Sequence, residues 1–142
     1  MENYMELKFL SKPENEAFAR STVAAFCVAM EPSLEQLNDI KTAVSEAVTN
    51  CIVHGYNSQK TGIIEIVVKT DGYTAEITVS DSGVGIEDVG RALEPFYTSK
   101  PNDERSGMGF TIMQSFMDNV EVISENGTTV RLVKKLKGQD NA

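Results

Sequence analysis

Hydrophobic and polar positions alternate at the start of the chain, with Met5, Leu7 and Phe9 set against Tyr4, Glu6 and Lys8. A period of two puts each set on its own face of a strand. At Ser11-Lys12-Pro13-Glu14 the pattern changes. Ser11 and Glu14 have the spacing of a capping box, and Pro13 suits a first helical turn. A helix is therefore predicted from there to about Met30. Its second half is apolar on nearly every side, which predicts core on one side and a partner or second subunit on the other. Pro32 ends it, and Ser33 with Gln36 forms a second capping box. The next helix carries Ile40, Val44, Ala47, Val48 and Cys51, the spacing of one buried stripe.

Two β-branched, alternating runs come next, Ile63 to Thr70 and Tyr73 to Ser80. Asp71-Gly72 between them is a hairpin signal, since both residues tolerate positive φ. Ser82 to about Gly107 reads as a loop with a short helix near Asp88 to Leu93. Phe110 to Met117 reads as a helix opened by glycine. Val120 to Ser124 and Thr128 to Leu136 make a last hairpin turned at Asn126-Gly127, and the tail from Gly138 is polar. This order predicts one α+β domain over residues 1–142, a two-layer sandwich with helices on one face of a mixed sheet. A long loop between two glycine clusters predicts a lid.

Composition narrows the picture. Of 142 residues, 41% are hydrophobic and 24% charged, as in ordinary globular proteins. The longest apolar run, Val23 to Met30, is far below the roughly 18 residues of a membrane span. No basic segment opens the chain, so a cytoplasmic location is expected. A net charge of −8 argues against direct DNA binding, though not against a basic protein partner. Cys27 and Cys51 lie in apolar helical stretches without CxxC spacing, which predicts buried reduced thiols.

Three clusters carry candidate chemistry. Glu46 and Asn50 are four apart and share a helix face at the edge of the apolar stripe. They can project into a pocket between helix and sheet, or simply flank a soluble helix. Asp81-Ser82-Gly83-Val84-Gly85-Ile86 comes directly after a strand. An aspartate there can accept a hydrogen bond from an exocyclic amine, and the glycines let backbone approach a flat ring. The alternative is a tight loop. Arg105-Ser106-Gly107-Met108-Gly109-Phe110 opens a helix, where free N–H groups and the helix dipole favour phosphate. Arg105 adds a cation suited to phosphate oxygens. A lone GxG is weak by itself.

In this order the clusters resemble the N, G1 and G2 boxes of the GHKL ATPase superfamily, the Bergerat fold. Phe96 to Lys100 is similar to that family's ATP lid. Ser45 to Asn50 with His54-Gly55-Tyr56 resembles the bacterial anti-sigma kinases. Lys100-Pro101 and Glu104 to Met113, through Phe116-Met117-Asp118, with Asn15 to Arg20, resemble the sporulation anti-sigma F factors among them. The resemblance spans nearly the whole chain. It implies ATP or ADP with Mg²⁺ as ligands, a sigma factor (sigma F) and an anti-anti-sigma protein as partners, and a homodimer. It implies serine phosphorylation of the anti-anti-sigma protein, with Glu46 as general base and Asn50 holding Mg²⁺. Asp81 would recognise the adenine amine, with Thr129 assisting and Gly83, Gly85 and Ile86 lining the pocket. Gly107, Met108 and Gly109 would offer N–H groups to phosphate, with Thr98, Lys100 and Arg105 on the lid. Arg20, Glu104 and Arg105 would contact partners, although Arg20 also reads as an exposed ion pair. His54 lies in the N-box helix, so a structural or pocket-edge role is expected and not phosphoacceptance. A general-stress anti-sigma kinase and a non-catalytic nucleotide-dependent binding module are the alternatives.

Overall fold

The computed structural model describes residues 2–94 and 109–136. Strand β1 (Asn3–Leu10) leads into α1 (Asn15–Cys27), a 3-10 turn (Val28–Met30) and α2 (Leu34–Asn50). A single π-helical turn (Cys51–Gly55) extends α2. Then come β2 (Ile63–Thr70), β3 (Thr74–Asp81), α3 (Val89–Ala92), α4 (Gly109–Phe116), β4 (Asn119–Ile123) and β5 (Thr128–Lys135). The five strands form one sheet in the order β1-β2-β3-β5-β4.

Among the described residues every pairing is antiparallel, which corrects the expected mixed sheet. The reason lies in the connections. Two helices, α1 and α2, stand between β1 and β2, so the chain re-enters the sheet in the opposite sense. A single crossover helix would have returned it parallel.

The helices cover one face. Ile64, Ile66 and Val68 of β2, Ala75, Ile77 and Val79 of β3, and Val130 and Leu132 of β5 are buried beneath them. The predicted α2 stripe of Ile40, Val44, Ala47, Val48 and Cys51 is buried in full. The other face carries the complementary polar set, including Arg131 bonded to Glu76 at 2.6 Å and Glu121 at 2.5 Å. Strand alternation therefore decides the layer count: one oily face, one covering layer.

The second capping box forms as its residues dictate. Ser33 Oγ accepts from Gln36 N at 3.1 Å, and Gln36 Oε1 accepts from Ser33 N at 3.0 Å. The first does not. Glu14 is the N-cap of α1 and no side chain caps it. Ser11 is fully buried and instead donates to Gln59 O at 2.6 Å and accepts from Gly62 N at 3.0 Å. A tertiary contact has taken the hydroxyl that the local motif would have used.

The two hairpin turns also differ. Asn126 and Gly127 both have positive φ, 53° and 111°, as the dipeptide predicts, but within a longer loop, since the last cross-strand pair is Ile123 with Thr129. At Asp71-Gly72 only Gly72 does, at 91°. Asp71 instead accepts from the N–H groups of Tyr73 and Thr74 through Oδ1, which holds its carboxyl below the usual range.

The apolar second half of α1 is largely absorbed by the core. Val23, Ala24 and Cys27 are buried, and Phe26 and Met30 pack against the cluster. Val28 remains 53% exposed.

Both cysteines are buried free thiols, as expected. Burial pushes Cys27 up from 9.0 to about 11. A thiol raised on folding stabilises the native state fully below its unfolded value and loses that contribution as pH rises through the folded value. Conformational stability is therefore expected to fall between pH 9 and about 11, by about 2–3 kcal/mol from this group. Urea titrations across that range check it, and Cys27→Ala is expected to flatten part of the decline.

Candidate functional site

The site is organised along α2. Glu46 is 8% exposed, and Asn50 lies one turn beyond it on the same face. Gly109, the first residue of α4, rests on the Asn50 amide: a Cβ there would lie 3.0 Å from both Nδ2 and Oδ1. The start of α4 thus approaches the N-box amide directly, and glycine permits the approach.

Beyond Asn50 the helix takes its π turn, with Tyr56 N donating to Cys51 O at 2.9 Å. Such a turn inserts an extra residue and re-aims the side chains C-terminal to it. Here Gly55 is delivered beneath Asp81, the last residue of β3. A Cβ on Gly55 would sit 2.7 Å from Asp81 Oδ2. A Cβ on Gly83 would sit 1.9 Å from Gly55 O, which also accepts from Val84 N at 3.0 Å. A Cβ on Gly127 would sit 2.1 Å from Asp81 O. Three backbone segments therefore meet around Asp81, each through a glycine.

Asp81 is 8% exposed and accepts from Gly83 N at 2.9 Å. Burial pushes the Cys51 thiol well above its ordinary range, and the charge of the adjacent Asp81 carboxylate pushes it further. A carboxylate fixed in this way can accept a hydrogen bond from an amine presented in the pocket mouth. Gly85 has φ of 77°, and Ile86 N donates to Ser124 Oγ at 2.6 Å.

The sheet register corrects one expected residue. Asp81 is paired with Thr128, and Ser80 with Thr129. Directly opposed residues share a sheet face, so Thr128, 9% exposed, stands beside Asp81 on the helix side. Thr129 lies on the opposite face, with its Oγ1 3.1 Å from Ser80 Oγ. A period-two slip separates the two threonines, and the sequence Thr128-Thr129 carries no signal of which one faces in.

Two residues outside the three candidate clusters hold the site together. Tyr56 Oη accepts from Ser82 N at 2.7 Å and donates to Ile63 O at 2.6 Å, tying the π turn to both neighbouring strands. Ser124 Oγ accepts from Ile86 N and donates to Gly127 O at 3.1 Å, joining the glycine loop to the last hairpin. The local signal for either is slight: a tyrosine after His54-Gly55 and a serine before a turn.

Arg20 pairs with Glu16 one turn earlier on α1, at 3.0 Å. It also lines a cavity of about 330 Å³ with Asn38, Lys41, Thr42, Ser45 and Glu46. His54 lies within the π turn. Thr98, Lys100, Glu104, Arg105, Gly107 and Met108 lie outside the described residues. Among the described residues no three His, Cys, Asp or Glu side chains gather as a metal site. The donor set near Glu46 is the Asn50 amide, a hard oxygen ligand that suits a magnesium ion completed by phosphate oxygens and water.

Comparison with known proteins agrees with this geometry. Residues 9–134 match the family described as histidine kinase-like ATPase domain. An anti-sigma F factor of Clostridium acetobutylicum is 53% identical over 137 residues, covering 96% of this chain and 95% of that one. An anti-sigma F factor of Anoxybacillus flavithermus is 51% identical over 138 residues, covering 96% and 94%. Among solved structures, the RsbU and RsbW domains of Rv1364c from Mycobacterium tuberculosis align at TM-score 0.69 and 17% identity, over 94% of this chain and 32% of that longer one. The catalytic domain of the histidine kinase ThkA aligns at TM-score 0.60 and 15% identity, over 94% and 98%. At such identities the structures speak to the fold alone. No helix among the described residues is long and apolar enough to cross a membrane.

Proposed function

We infer the function from one premise: this chain belongs to the anti-sigma F factors of the histidine kinase-like ATPase family. It is an anti-sigma factor built on a kinase-type, nucleotide-binding domain. In our reading it acts in the cytoplasm as one domain, binds ATP with Mg²⁺, holds sigma factor F, and phosphorylates an anti-anti-sigma protein on serine. ADP is the product and a second ligand of the same pocket. The observation that carries this reading is the meeting of Asn50 with Gly109 at one end of α2, next to the Gly55–Asp81–Gly83 junction.

In this reading Asp81 accepts the adenine amine, with Thr128 beside it on the same face. Gly83, Gly85 and Ile86 shape the loop that the ring rests against, and Gly109 with Gly107 and Met108 offers N–H groups to phosphate. Asn50 would hold Mg²⁺, which supplies charge neutralisation across the phosphates. Glu46 is the general base. The serine Oγ bonds to the γ-phosphorus, the bond from phosphorus to the bridging oxygen of ADP breaks, and Glu46 takes the hydroxyl proton. Thr98, Lys100 and Arg105 belong to the lid, and Arg20, Glu104 and Arg105 to the partner surface. A homodimer through the outer side of α1 and the 3-10 turn after it is supported by Phe18 and Val28, 55% and 53% exposed.

The test uses γ-labelled ATP, Mg²⁺ and the anti-anti-sigma protein from the same genome. Label on a serine of that protein is the expected result, together with capture of sigma F only when nucleotide is present. Nucleotide binding and sigma capture without label would replace the kinase by a nucleotide-dependent binding module. Capture of a general-stress sigma factor in place of sigma F would correct the partner.

A further inference from the structure

The cavity between α1 and α2 lies on the far side of Glu46 from the nucleotide cradle. Along α2 and its π turn the order is Lys41, Thr42, Ser45 and Glu46 at the cavity, then Asn50 under Gly109, then Cys51 and Gly55 against Asp81. At about 1.5 Å per residue, Asn50 stands about 6 Å from Glu46 along the axis, and Lys41 about 7.5 Å on the other side. In-line transfer needs the acceptor hydroxyl opposite the departing ADP. Adenine recognised at one end of this line leaves the other end for the acceptor.

The cavity's charge says what kind of acceptor segment it takes. Its neutral lining, Asn38, Thr42 and Ser45, offers hydrogen bonds to a peptide. Its Arg20 is already paired with Glu16. Lys41 is half-buried and has no ion pair among the described residues. In a chain of net charge −8, such a partly desolvated cation next to the reacting centre favours a negative group on the ligand.

We propose that this cavity is the acceptor subsite and that Lys41 selects an acidic residue one or two positions from the phosphorylated serine. The spacing fits, because about 7.5 Å is the span of roughly two extended residues. The inference rests on the kinase reading above and adds the sequence class of its substrate.

The experiment compares the wild-type chain with Lys41→Glu, Lys41→Gln and Lys41→Arg. The acceptor is the anti-anti-sigma protein of the same genome. Acidic residues within two positions of its phosphorylated serine are changed to the amide or to lysine. Lys41→Glu is expected to raise the acceptor KM about tenfold, with kcat and ATP affinity within about twofold. Lys41→Gln should give a smaller rise, and Lys41→Arg should stay near wild type. The lysine-bearing acceptor should be poor for wild type and restored with Lys41→Glu. ATP affinity reports that each variant is folded. An unchanged acceptor KM in Lys41→Glu, no rescue by the reversed acceptor, or an acceptor without an acidic residue in that window overturns the proposal. The kinase reading survives all three of those results. Absence of transfer by the wild-type chain removes that reading and this inference with it.

Discussion

Glu46→Gln is expected to lower phosphate transfer to the acceptor by about 10²–10⁴-fold while ATP affinity changes by less than about threefold. The substitution keeps the shape and one carbonyl oxygen but removes the proton acceptor. Glu46 is 8% exposed, one turn before Asn50, and faces the cavity shared with Arg20 and Lys41. A carboxylate at that point has no part in the Asp81 cradle, so nucleotide binding has no reason to weaken. Single-turnover transfer with labelled ATP, alongside calorimetric ATP binding, separates the two quantities. Transfer at the wild-type rate would remove Glu46 as the base. Equal loss of transfer and of ATP affinity would instead make it part of the binding site.

Gly83→Ala is expected to weaken ATP binding at least about 100-fold and to cost about 3 kcal/mol of stability. The added Cβ would lie 1.9 Å from Gly55 O and 2.4 Å from its carbonyl carbon. Both are backbone atoms of the π turn, so no side-chain rotation relieves the contact. Either the loop after β3 moves away, breaking the Val84 N to Gly55 O bond, or the π turn shifts and carries Asp81's support with it. Thermal and urea unfolding report the stability part, and calorimetry the binding part. A Gly90→Ala control should change neither, since a Cβ there meets only Asp88 Oδ1 at 3.6 Å. Wild-type stability and ATP affinity in Gly83→Ala would refute the close junction.

Both expectations draw on residues picked out by spacing. Glu46 and Asn50 share a face because a helix repeats every 3.6 residues, a fact available from the sequence. That Gly83 needed to be glycine was also legible, but what it avoids was not. Its neighbour is 28 positions away, at Gly55, across a π turn that no local rule announces.

Local periodicity and punctuation determined the order of the elements, the buried stripe of α2, the Ser33–Gln36 cap and the Asn126-Gly127 turn. Each depends on residues within one or two turns of one another. Tertiary structure decided the rest. It took Ser11 from its helix to fasten the loop at Gln59 and Gly62, and it made every strand pairing among the described residues antiparallel. It turned Thr128 toward Asp81 and Thr129 away. It also set Lys41 and Arg20 around one cavity beside Glu46. Competition for a hydrogen bond, the sense of a chain's return to a sheet, and strand register are settled only when distant segments meet, so they leave no trace in any short stretch of sequence.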